Sequence, residues 1–75
     1  MPKLPAVTGK DVVSALCKKN FIKTGQKGSH VKLRHRMSGQ RVIVPCHAGK
    51  IIPLKTLKSI LEDAGLKVEE FRKLL

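Results

Sequence analysis

A chain of 75 residues that carries 16 Lys and Arg against 5 Asp and Glu has a formal charge of +11. So short a chain supports one modest core, which excludes a deep pocket for a large cofactor, and we expect one domain over residues 1–75. With two Phe, no Tyr and no Trp, the core must be aliphatic, and rows of exposed rings on which bases stack are excluded.

Residues 1–7 read as an extended lead-in, because Pro2 and Pro5 both resist helix. Thr8 and Asp11 form a capping-box-like start, with Asp shorter than the usual Glu. Val12, Val13, Leu16 and Cys17 recur at helical spacing, so a helix is expected over about residues 9–19, with Cys17 on its apolar side and Asn20 ending it in the left-handed conformation. A first strand is expected over residues 21–26, with Gln26-Lys27-Gly28 as the turn. The second strand, residues 29–36, alternates so that Val31 and Leu33 face inward while His30, Lys32, Arg34 and Arg36 face outward. Met37-Ser38-Gly39-Gln40 is a turn by composition, and residues 41–44 form a third strand that Pro45 closes.

A loop, Cys46-His47-Ala48-Gly49-Lys50, leads to Ile51 and Ile52. Pro53 suits a first helical turn, and Leu54, Leu57, Ile60, Leu61 and Ala64 mark one face of a second main helix that Gly65 terminates. Val68, Phe71, Leu74 and Leu75 make a last amphipathic turn or two folding back on the core. The fold class expected is α+β: an antiparallel three-stranded sheet with two helices on one face and a short C-terminal helix.

Charge is distributed unevenly. Residues 12–61 contain no acid and eleven bases, so the net charge belongs to the middle of the chain. Such a field attracts polyanions, nucleic acid first and an acidic protein second; a merely solvated cationic surface is the plain alternative. No run is apolar enough to span a bilayer, Met1-Pro2-Lys3-Leu4-Pro5 opens no signal peptide, and two cysteines make no disulfide framework, so a cytoplasmic protein with no membrane partner is expected.

The stretch Lys27-Gly28-Ser29-His30 is the candidate site. Gly28 lets backbone approach closely, and His30 places a titratable imidazole in step with Lys32 and Arg34. A histidine on a strand is more often structural than catalytic, but this one shares its face with cations and no carboxylate. Metal-dependent phosphodiester cleavage uses carboxylates to hold magnesium, so no metal and no cofactor are expected. RNA is then the favoured substrate, since its 2′-hydroxyl can attack the adjacent phosphate once a base removes its proton. Lys27, Lys32 and Arg34 would neutralise charge on the phosphate, with Ser29 or backbone N–H groups of the Gly28 turn as donors. His35 faces the core side by parity and reads as structural. His47, in a loop, can bind phosphate or merely brace the loop; adjacent Cys46-His47 lacks the spacing of a zinc site. Lys55 and Lys58 read as the solvated face of the second helix, able to extend an RNA track.

Gly28-Ser29-His30, then Val42-Ile43-Val44-Pro45-Cys46-His47, then the run from Thr56 through Leu66, resemble the HicA family of toxins, with similarity continuing to Glu69, Glu70 and Phe71. Cys46, Lys55 and Val31 depart from residues frequent in that family. The resemblance implies a double-stranded-RNA-binding-domain-like fold and a type II toxin that cleaves messenger RNA through His30. It also implies a HicB-type antitoxin covering the active surface of a toxin that is monomeric when free. A non-catalytic RNA-binding module and an interaction domain for an acidic protein are the competing readings of the same face.

Overall fold

The computed structural model describes residues 4–75; Pro2 and the rest of residues 1–3 of the expected lead-in lie outside them. The elements run α1 (Gly9–Lys18), β1 (Phe21–Lys27), β2 (His30–His35), β3 (Arg41–Pro45), α2 (Leu54–Ala64) and α3 (Val68–Leu74). The strands form one antiparallel sheet in the order β1-β2-β3, giving the α-β-β-β-α, α+β architecture expected from the pattern. Among the described residues no helix is long and apolar enough to cross a membrane.

α1 starts where the capping box was expected. The Thr8 N–H donates to Asp11 Oδ2 (3.0 Å) and the Asp11 N–H donates to Thr8 Oγ1 (3.2 Å), so the shorter acid closes the box. Its buried face is Val12, Ala15 and Leu16. Cys17, expected on that face, is exposed: it lies about 140° around the helix from Val12, outside a stripe centred between Val12, Ala15 and Leu16. Asn20 does adopt the left-handed conformation, at φ 67°, and its carbonyl accepts from the Arg36 N–H at 2.8 Å.

The hairpin between β1 and β2 is tighter than the composition suggests. Lys27 pairs with His30, so the turn is the two residues Gly28-Ser29, and Lys27 belongs to the strand. Gly28 has φ 58° while Ser29 is not left-handed, matching the glycine-first preference of a II′ hairpin turn, whose twist suits the flanking strands. The Gln26 side-chain amide donates to the Gly28 carbonyl at 3.0 Å. Arg36, expected as an outward strand residue, lies beyond β2 in the turn to β3. β1 also carries an irregularity between Lys23 and Gly25, a bulge that the alternation did not reveal.

All three helices lie over one side of the sheet: α1 packs on β1 and β3, α2 on β3, and α3 on α1. Val31, Leu33, Val42 and Val44 from the strands meet Leu16, Leu57, Ile60 and Phe71 from the helices, each nearly or wholly removed from water. α2 ends at Gly65, φ 70°, as expected. Leu54 and Leu75, both expected to be inward, are exposed at 58% and 51%. The buried stripe of α2 begins a turn later, at Leu57, and Leu75 follows the last turn of α3, so neither end residue has a layer to pack beneath.

The start of α1 is pressed against the end of β3. A Cβ at Gly9 would stand 2.7 Å from Cys46 Cα and 2.8 Å from its Sγ, and it would also meet the Pro45 carbonyl oxygen. Exchanging glycine for alanine in a helix ordinarily stabilises. Here Gly9→Ala is expected to lower stability by about 1–3 kcal/mol, as overpacking does, and urea unfolding of the two proteins measures it; an unchanged or raised midpoint contradicts the contact.

Candidate nucleic-acid interface

With the helices on one side, the other face of the sheet is open, and pairing fixes what it displays. His30, Lys32 and Arg34 run down β2, the central strand, and all three are exposed. Across the sheet His30 stands between Lys27 and Pro45, Lys32 between Gly25 and Ile43, and Arg34 between Ile22 and Arg41. A column of three basic side chains is thus bordered by apolar or absent ones, with cations at two opposite corners.

Two shallow grooves follow this column. One is lined by Lys27, Gly28, Ser29, His30, Lys32 and Ile43. The next is lined by Thr24, Lys32, Arg34, Arg41 and Ile43, with Leu33 and Val42 beneath. Lys32 and Ile43 belong to both, so the grooves are continuous. No carboxylate lines either, and among the described residues the side chains of Lys27, His30, Lys32, Arg34 and Arg41 make no ion pair or hydrogen bond, the Thr24 hydroxyl donating only to the Lys32 backbone carbonyl at 3.4 Å. An added Cβ at Gly28 would meet nothing within 4 Å, so the backbone of the turn is open to a ligand. The turn is anchored from the side of β3, because the Cys46 N–H donates to the Ser29 carbonyl at 2.6 Å. The Ser29 hydroxyl is left uncommitted.

The five acids are elsewhere. Asp11 caps α1, and Glu70 accepts from the Lys67 N–H at 3.3 Å and lies 3.6 Å from Lys19 Nζ. Glu62 and Asp63 are exposed on the last turn of α2 and Glu69 on α3. The helical layer therefore keeps its charges nearly balanced while the sheet face keeps its cations bare.

His35 belongs to the scaffold. It is half-buried, its ring meets Phe21 edge-on at 5.0 Å between centroids, and Nδ1 accepts from the Met37 and Ser38 N–H groups, both at 3.2 Å. His47 lines a different groove, with Lys10, Lys23, Gln26, Val31 and Cys46, so the structure does not bring it to the groove that holds His30. Lys27, Gly28, Ser29 and Lys32 are brought together there, and Arg34 joins them through the second groove. Arg41 and Ile43 were missed. Their signal was the alternation Arg41-Val42-Ile43-Val44, which puts Arg41 and Ile43 opposite the buried valines once the strand is paired.

The fold and face together define the class: a small α+β domain in the order α-β-β-β-α, with an open cationic sheet that carries an exposed histidine. The family model described as "HicA toxin of bacterial toxin-antitoxin" matches residues 9–66. The chain therefore belongs to the HicA toxin family, whose toxins pair with an antitoxin. Comparison with curated proteins yields no match.

The two thiols differ in surroundings. Burial pushes the Cys46 thiol above its ordinary range, and the nearby Lys23 ammonium opposes this only in part, whereas Cys17 is exposed. Because the thiolate is the reacting form, iodoacetamide at pH 8 is expected to modify Cys17 well before Cys46. Peptide mapping by mass spectrometry measures the order, and equal rates would contradict the burial of Cys46.

Proposed function

We propose that this toxin is a metal-independent endoribonuclease that cleaves messenger RNA in the cytoplasm, with His30 as the catalytic residue. The observation that carries the reading is an unpartnered imidazole on a face where Lys27, Lys32 and the Ser29 hydroxyl converge and no carboxylate is present. Membership of a toxin family gives cleavage of a cellular polyanion a purpose that a passive RNA-binding module lacks.

The chemistry follows from those groups. A phosphodiester resting over the Gly28 turn has its charge met by Lys27, which pairs across from His30. Its own 2′-oxygen attacks phosphorus as the 2′-proton leaves, and the bond to the 5′-oxygen breaks, giving a 2′,3′-cyclic phosphate and a 5′-hydroxyl. His30 serves as the proton-transfer group, removing the 2′-proton or protonating the departing 5′-oxygen. Nothing in this scheme draws on a metal ion. An acidic HicB-type antitoxin would cover the same cations and so block phosphate entry, while the free toxin acts as a monomer of one domain.

Two outcomes check the proposal. His30→Ala is expected to lower cleavage of single-stranded RNA in excess EDTA by about 10²–10⁴, the usual share of a proton-transfer group, while circular dichroism shows the fold retained and induced expression no longer arrests growth. A single 2′-deoxy nucleotide on the 5′ side of the cut is expected to abolish cleavage there and spare neighbouring sites. Undiminished cleavage by the variant removes His30 from the chemistry, and binding by wild type with no cleavage supports the RNA-binding module instead.

A further inference from the structure

The column of cations on β2 is one-sided with respect to His30. Alternate residues on a strand lie about 6.6 Å apart on one face, a spacing close to that of neighbouring phosphates in an extended polynucleotide strand. Lys32 and Arg34 continue the column in one direction, with Arg41 paired beside Arg34 at its far end. In the other direction the chain turns immediately at Gly28-Ser29, and Lys27 stands beside His30 rather than beyond it. Ile43 and Pro45 flank the column along β3, so the face offers one file of charges and no second file for the opposite backbone of a duplex.

From this geometry we infer that the face binds a single RNA strand lengthwise along β2, with the cleaved phosphate at His30 and the next two phosphates, on one side of the cut only, held by Lys32 and Arg34. The inference rests on the reading of His30 as the cleaving group for the position of the cut, but not for the track itself. Its consequence is an asymmetric substrate requirement. Phosphates on the far side of His30 leave the sheet for solvent and contribute nothing specific.

Two measurements test it separately. In the first, wild-type protein cuts an end-labelled single-stranded oligonucleotide, and the fragment ladder shows how near each end a cut can fall. The expected ladder has cuts running up to one end and stopping about two phosphates short of the other; cuts equally close to both ends overturn the one-sided track. In the second, His30→Ala, which leaves RNA intact, is titrated with the same oligonucleotide over a range of salt. Adding Lys32→Ala or Arg34→Ala is expected to reduce the slope of log Kd against log salt by about 0.7 each, one phosphate contact. Lys73→Ala on α3 is expected to leave the slope unchanged. Unchanged slopes for both strand variants overturn the track whatever the first measurement gives. If wild type cuts nothing, the cleavage reading falls with the placement of the cut, and reduced slopes still retain the phosphate file.

Discussion

Burying Val31 and Leu33 beneath the helices leaves β2 no choice about its other side chains. A strand displays alternate residues on opposite faces, so His30, Lys32 and Arg34 must stand together on the side that no helix covers. A slip of one residue would drive three basic groups into the core, where no acid waits to pair with them. The hydrophobic demand of one face thus sets the register that builds the other. The two-residue turn then sets Lys27 directly opposite His30.

A face that gathers cations without counter-charges is under electrostatic stress, and the structure relieves it only by exposure. Lys27, Lys32, Arg34 and Arg41 all project into water, where screening over about 8–10 Å limits their mutual repulsion. Charges left bare in this way contribute nothing to the isolated fold and remain available to a polyanion. The ties that do hold the scaffold lie away from them: the Thr8–Asp11 box, the Gln40 side-chain amide donating to the Asp63 carbonyl, and the Lys18 ammonium donating to the Leu74 carbonyl at 3.0 Å.

Most of this arrangement was legible in the sequence because strong local signals coincided with global ones. Val31 and Leu33 alternate cleanly, Gly65 stops α2 where periodicity stops, and the lack of acid from residue 12 to 61 places the cationic surface. What escaped was information held only by pairing. The bulge at Lys23–Gly25, the membership of Arg41 and Ile43 in the open face, and the separation of His47 from His30 depend on which residue sits across from which. Cys17 and Leu54 are apolar residues at the margins of their helices' buried stripes, where spacing alone does not separate them from the core. The family match stops at Leu66, before α3, yet α3 supplies Phe71, the largest fully buried side chain. Its apolar spacing, together with the resemblance continuing through Glu69, Glu70 and Phe71, makes that helix visible in the sequence.

The absence of aromatic side chains from the open face bears on selectivity. Phe21 and Phe71 are both buried in the core, and apart from Lys27 and Arg41 the residues bordering the column are Ile22, Ile43, Pro45 and a glycine. Such a border can pack against sugars and base edges, but it offers no ring for stacking and few hydrogen-bonding groups that distinguish one base from another. A site of this kind draws affinity from phosphates, which every RNA has, and on the proposed reading it places the scissile bond by counting phosphates from Arg34 rather than by reading bases. Restraint on such an activity has to come from occupancy of the face. On the proposed reading, an antitoxin that laid carboxylates on Lys32 and Arg34 would satisfy the same bare charges that RNA would use, so inhibition and catalysis would compete for one set of contacts.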